Sequence, residues 1–184
     1  VVAEAKARIV EANIPGARFL HLDRDLSAPK TGRNGRHPLP SPAGAAATFG
    51  AAGIDADKQV VVYDQNLGAY AARCWWMLRW LGHDAVAVLD GGWDRWMREQ
   101  RPITGDVRPV VPATFRVRES LPVVGTDEVL ANAARDAALV LDARSPERFR
   151  GEAEPFDPVA GRVPGAVNRP VARNLARDGT FKPA

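Results

Sequence analysis

One stretch limits what this chain can fold into: Val60 to Leu81, VVVYDQNLGAYAARCWWMLRWL. Val60-Val61-Val62-Tyr63 is a continuous β-branched and aromatic run, which predicts a strand buried on both faces. Asp64, Gln65, Asn66, Leu67 and Gly68 form a tight polar loop closed by glycine. Ala69 to Leu81 holds strong helix formers with no Pro or Gly, and places Cys74, Leu78 and Leu81 on one stripe. A buried strand running through a short loop into a helix is where α/β proteins place their chemistry. The first N–H groups of such a helix have no intrahelical partner and point at whatever occupies the loop.

The flanking sequence repeats this alternation. Residues 1–12 are rich in Ala, Glu, Lys and Arg and predict a helix that stops before the turn at Pro15-Gly16. Arg18 to Leu22 is expected to be a short strand, and Leu26 to Pro42, with four prolines in SAPKTGRNGRHPLPSP, a loop. Ser41 and Pro42 open a helix over Ala43 to Ala52 as N-cap and first-turn proline. After the central stretch, Ala85 to Leu89 is a second buried strand, and Asp90-Gly91-Gly92 turns into a helix from Trp93 to Gln100. Pro102 to Gly125 has four prolines among alternating Val and Arg and is expected as an extended segment on a surface. Thr126 is expected to cap a helix from Asp127 to Arg135; Ala138 to Ala143 is a further buried strand, and Ser145 to Arg150 a helical turn. Alternating strand and helix imply an α/β fold with a mostly parallel sheet covered on both faces.

Composition narrows the functional classes. The chain is 46% hydrophobic and 26% charged, with a formal charge of +3 and no basic run, so nucleic acid is not an expected partner. No window is long and apolar enough to span a membrane, and the N-terminus shows no secretory pattern. The single cysteine, Cys74, excludes an internal disulfide framework and points to a reducing cytoplasm. His21, His37 and His83 are too scattered for a metal site, and no cofactor is expected.

The chain also repeats itself. Ile14-Pro15-Gly16-Ala17 recurs as Val163-Pro164-Gly165-Ala166, an offset of 149 residues, and each copy is followed by a leucine at the same distance, Leu26 and Leu175. The same offset places the twin of the Asp64 loop near position 213, beyond Ala184, and the twin of the strand at Val140 before Val1. The chain is therefore expected to be part of a longer two-domain protein. Residues 1–104 form a nearly complete first domain lacking its first strand, 105–125 a linker, and 126–184 the first half of a second domain.

Several local patterns then coincide. Tyr63-Asp64, Trp75-Trp76-Met77, Leu81-Gly82-His83, Leu89-Asp90-Gly91-Gly92-Trp93 with Trp96, and His37-Pro38-Leu39-Pro40 resemble the N-terminal domain of a tandem rhodanese, of the thiosulfate and 3-mercaptopyruvate sulfurtransferase family. Leu141-Asp142-Ala143-Arg144, Arg148-Phe149-Arg150-Gly151 and Val163-Pro164-Gly165-Ala166-Val167-Asn168 resemble the first half of its catalytic domain. The resemblance implies a rhodanese-like parallel sheet and a sulfur relay. A cysteine in the second domain's strand-to-helix loop takes a sulfane sulfur from a small anionic donor and passes it to a thiol or to cyanide. A loop of converging N–H groups stabilises such an anionic sulfur.

The resemblance places no catalytic residue in this chain. The nucleophile is expected beyond Ala184, and Asp64 fills the matching position of the first, non-catalytic loop, either as an internal anion or simply as a turn acid. Cys74, on the apolar helix stripe, is read as a core residue. Arg148 matches the family position that holds the donor's carboxylate or sulfonate, with Asp142 and Arg144 in support; the competing reading of Arg148 is a salt-bridging surface arginine. Family members using mercaptopyruvate often carry a second arginine after the Glu-Pro matched by Glu154-Pro155. Phe156 stands there instead, which leaves thiosulfate at least as good a donor, with Arg162 able to approach from the side. Arg162 and Asn13 both replace a histidine often found before the Pro-Gly turn. The tryptophans are expected in packing. A rival expectation, from another class, is a catalytically silent rhodanese-like module that binds partners.

Overall fold

A computed structural model of the chain describes residues 12–118 and 121–183. The helix expected over residues 1–12 thus lies, apart from Ala12, outside the described residues. Two compact units are present, Val1–Leu121 and Pro122–Ala184.

In the first unit, α1 spans Pro42–Ala51, with the Ser41 hydroxyl accepting from the Gly44 N–H at 3.1 Å and Pro42 in the first turn. Strand β1 (Val60–Val62) leads through the Asp64 loop into α2 (Ala69–Trp80); β2 (Val86–Val88) leads into α3 (Gly92–Arg98). The strands pair in parallel, Val60 opposite Val86 and Val62 opposite Val88. Helix α2 carries the core. Its Cys74, Met77 and Leu78, with Leu81 just past its end, are buried with Leu26, Ala45, Phe49, Trp80 and Val86. Each of the larger side chains among them, Leu, Val, Met or Phe, contributes about 1.5–3 kcal/mol, so burial along this helix holds the unit together.

Three expectations are corrected here. The strand at Val60 is not buried on both faces: Val61 is 53% exposed. Residues 18–22 form no strand. The chain there enters a turn in which the His21 carbonyl accepts from Asp25 and Leu26, and the Asp25 carboxylate accepts from the His21 N–H at 2.7 Å. That local pairing uses the backbone groups a ladder would need. The described residues of the segment after Pro102 form no helix or named strand, and its residues 113–118 belong to the core region of the first unit. Ala113 N–H donates to Gly50, Arg118 N–H donates to Leu81, and the Phe115 ring packs on Phe49 at 5.4 Å between centroids.

The second unit contains α4 (Thr126–Arg135), β3 (Leu141–Asp142), α5 (Pro146–Arg150), β4 (Val167–Asn168) and a 3-10 turn, Val171–Asn174. Thr126 is inside α4 and not its cap. Gly125 caps the helix, its N–H donating to the Glu128 carboxylate at 2.7 Å. The strand expected over Ala138–Ala143 pairs only at Leu141–Asp142, in parallel with β4. Asn132 bonds both backbone groups of Ala138 and holds that end in a turn. Among the described residues of this unit Pro170 alone is buried, so apolar burial holds little of it.

The two Pro-Gly-Ala copies fold alike. Ala17 N–H reaches the Ile14 carbonyl at 2.9 Å and Ala166 N–H the Val163 carbonyl at 3.1 Å. Gly16 and Gly165 lie at φ +83° and +78°. Proline followed by a left-handed glycine is the type II turn, so the repeated tetrapeptide encodes a repeated backbone.

Candidate functional site

The loop between β1 and α2 is wrapped around a carboxylate. Asp64 Oδ1 accepts from the N–H groups of Asn66 (2.8 Å) and Gly68 (2.9 Å), and Oδ2 from those of Tyr70 (2.7 Å) and Ala71 (2.8 Å). Leu67 and Gly68 make this possible by turning left-handed, at φ +55° and +84°. Four converging donors at a helix N-terminus form an anion cradle, and here the chain's own side chain fills it. Gln65 and Asn66 lie exposed on the loop. The Asp64 carbonyl in turn accepts from the Trp93 N–H at 3.2 Å, tying the loop to the start of α3.

Cys74 cannot serve this cradle. It is buried on the core side of α2, and burial pushes its thiol up to about 12. A thiol that remains protonated at neutral pH is neither a nucleophile nor a sulfur carrier. Among the described residues no group of His, Cys, Asp or Glu is arranged to hold a metal ion.

Sequence reasoning passed over a second polar cluster in the first unit. Asp23 lies 3.1 Å from Lys30 Nζ and 3.2 Å from His37 Nδ1, and the Lys30 hydrogen bond holds its carboxyl below the usual range. The loop carrying these groups is pinned by Arg73 of α2, whose guanidinium donates to the Leu26 carbonyl at 2.8 Å and the Pro38 carbonyl at 3.3 Å. The length of the 27–40 loop hid that proximity.

In the second unit Asp142, Arg144 and Arg148 are linked through ion pairs to Glu154 and Asp157, of which the sequence had marked only the Glu-Pro pair. Asp142 ends β3, and its carboxylate takes the Nε–Nη2 edge of Arg144, 2.6 Å at Nη2 and 3.0 Å at Nε, as well as the Arg144 N–H at 2.9 Å. Arg144 also donates to the Gly161 carbonyl at 2.6 Å. The Arg144 hydrogen bonds hold the Asp142 carboxyl below its ordinary value, and Asp142 raises the guanidinium in return. Arg148, on α5, is not open on all sides. Glu154 grips its Nε and Nη2, Asp157 takes Nη2 at 3.1 Å, and Phe156 lies under the guanidinium at 5.2 Å. Arg162 stands over the Phe149 ring at 4.7 Å and does not bond Arg148. Arg144 and Arg162 line an open concavity of about 580 Å³ beside β3, with Leu141, Val159 and Val163 as its apolar wall.

The comparisons fit this geometry. A family model for the rhodanese-like domain matches residues 5–99. The chain is 44% identical over 181 residues to a probable 3-mercaptopyruvate sulfurtransferase of Pseudomonas aeruginosa, covering 96% of this chain and 64% of the relative. It is 41% identical over 181 residues to the putative thiosulfate sulfurtransferase SseB of Mycobacterium tuberculosis, covering 97% of this chain and 63% of the relative. It thus spans just under two thirds of either relative. The crystal structure of SseA from Escherichia coli, described as showing the rhodanese fold of 3-mercaptopyruvate sulfurtransferases, superposes with a TM-score of 0.75 at 30% identity, over 96% of this chain and 65% of SseA. A parallel β–loop–α unit built around an anion cradle, a Pro-Gly-Ala turn at Ile14 that recurs 149 residues on, and a domain match over half the sequence lead to one conclusion: the chain belongs to the rhodanese family.

Proposed function

We propose that this chain is part of a two-domain sulfurtransferase that moves a sulfane sulfur from thiosulfate, or from 3-mercaptopyruvate, to cyanide or a thiol. The observation that supports this reading most is the Asp64 cradle. The β–loop–α unit is shaped to hold an anion, and a carboxylate occupies it in the first copy. The second copy, begun by β3 and β4, would present the same loop near position 213, where a cysteine thiolate would take the carboxylate's place.

The reaction is then two displacements. The thiolate attacks the outer sulfur of thiosulfate; a sulfur–sulfur bond forms to cysteine as the bond to the sulfonate sulfur breaks, and sulfite leaves with the electron pair. Cyanide attacks the outer persulfide sulfur, thiocyanate leaves, and the thiolate returns. With 3-mercaptopyruvate the carbon–sulfur bond breaks and pyruvate leaves as its enolate, which takes up a proton. Neither route needs an external oxidant or a cofactor. Arg148 supplies the fixed charge for the sulfonate or carboxylate end of the donor, and the Asp142–Arg144 pair stiffens the chain after β3. Phe156, at the place where mercaptopyruvate-using members often carry arginine, makes thiosulfate the donor to test first.

The experiment has two parts. The 184-residue chain alone should show no thiosulfate:cyanide turnover. A polypeptide extended through the second domain should turn over, gain the mass of one sulfur on incubation with thiosulfate, and lose both properties when the cysteine near 213 is changed to Ser. Turnover by the 184-residue chain that survives Cys74→Ser would sink the mechanism. An Asp or Ser in the downstream loop would point instead to a silent, partner-binding module.

A further inference from the structure

Glu154 is held from several sides in the second unit. Its side chain is 4% exposed. Oε1 accepts from Arg148 Nη2 (2.8 Å) and from the N–H groups of Phe156 and Asp157 (3.1 Å each). Oε2 accepts from Arg148 Nε (3.1 Å) and Nη2 (2.9 Å) and from Arg144 Nη1 (3.4 Å). One carboxylate therefore ties both arginines after β3 to the backbone of the 154–157 turn.

The consequence lies in which donors of Arg148 remain. A guanidinium has five N–H donors in a rigid plane. Glu154 takes Nε and one hydrogen of Nη2, and Asp157 takes Nη2 from the other side. Phe156 covers a face of the plane. Among the described residues no hydrogen bond is made by Nη1. The long side chain cannot turn to offer another edge without breaking the bidentate grip on its Nε–Nη2 edge, so an incoming anion meets Nη1 alone, in a fixed direction.

We propose that Glu154 is a positioning residue of the anion-binding site: it clamps Arg148 by its Nε–Nη2 edge so that Nη1 is presented to the oxyanion end of the sulfur donor. This rests on Arg148 as the donor's anchor. It adds that the anchor's orientation, and not only its charge, sets donor affinity. The clamp also explains how an arginine can be salt-bridged to two carboxylates and still bind substrate: the carboxylates occupy Nε and Nη2 and the donor uses Nη1. Fixing the side chain beforehand spares the donor the cost of ordering it.

Arginine side-chain NMR of the 184-residue chain, titrated with thiosulfate, tests this. Glu154→Asp keeps the charge but shortens the reach, so it separates grip from charge. The Arg148 Nε–H should be resolved in the parent chain and should exchange with solvent at least tenfold faster in Glu154→Asp. Thiosulfate should shift Arg148 in the parent chain and bind about fivefold more weakly to that variant. Glu152→Gln removes a charge from a residue that pairs with Arg150 and not with Arg148, and should bind thiosulfate no more weakly than the parent. The amide signals of Val167 and Asn168 report whether the second unit stays folded. Unchanged Nε–H exchange and an affinity within twofold in Glu154→Asp would overturn the clamp. So would affinities that follow net charge across the variants. A parent chain in which thiosulfate leaves Arg148 unshifted removes the anchor itself, while the exchange rates still decide whether Glu154 clamps it.

Discussion

The two units of this chain are stabilised by different means. The first is closed around Phe49, Met77, Leu78 and Leu81, all fully buried. The second buries almost nothing and is organised by Arg144, Arg148, Asp142, Glu154 and Asp157. Its β3 shows Leu141 at 60% exposure, and a two-stranded sheet offers little apolar surface to bury. The contrast teaches that ion pairs and hydrogen bonds between residues 2 to 17 apart can be laid out within one short stretch of chain, whereas a core such as that around Phe49 needs side chains from Leu26 to Phe115 to meet.

The largest effects should come from attacking the core. Phe49→Ala is expected to cost about 3–5 kcal/mol, whereas Leu141→Ala should cost under about 0.5 kcal/mol, as exposed substitutions usually do. Urea titration read from amide signals of each unit checks both; a comparable cost at Leu141 would mean the second unit buries this strand in solution. Next is Gly82→Ala. Gly82 is at φ +81° and an added methyl would fall on the Arg118 carbonyl and Cβ, so we expect a loss of about 2–3 kcal/mol. Gly16→Ala and Gly165→Ala meet open space at nearly equal φ, and each should lose about 1 kcal/mol from the left-handed backbone alone. Equal losses support equivalent turns; a difference beyond 1 kcal/mol would break the equivalence.

Asp64→Ala empties the cradle and should cost about 1–2 kcal/mol, as loss of a helix cap does. Sulfate should then restore part of the lost thermal stability, and no rescue would argue that the loop is a turn and not a cradle. Acid should separate the units more gently. Asp142 and Glu154 are held below ordinary carboxylate values by Arg144 and Arg148 respectively. A depressed folded value gives stability that is complete above the unfolded value, about 4, and lost as pH falls through the folded one. Amide protection in β3 and β4 should therefore persist from pH 7 to about 5 and decline below about 4, while core amides near Met77 hold longer. Parallel loss in both units would remove the distinction. The smallest expected effect is at Cys74: alkylation at neutral pH should leave it unlabelled until denaturant is added.

Much of this was legible in sequence where one residue type does one local job. Ser41-Pro42 marked the start of α1, the Pro-Gly pair marked both turns, and the Cys74–Leu78–Leu81 stripe marked the buried face of α2. Propensity alone failed where backbone groups had another partner. Residues 18–22 look like a strand, but the Asp25 carboxylate claims the His21 N–H. Thr126 looks like a cap, but Glu128 reaches past it to Gly125.

The family and the repeat were set by the sequence, because they depend on which residues follow which. Tertiary structure decided what those residues do to each other. That Asp64 gathers four N–H groups, that residues 113–118 lie with the first core, and that Glu154 leaves Arg148 one edge are matters of side chains meeting across turns. The path of the turns and the reach of the side chains set those distances together, and no spacing along the chain encodes them.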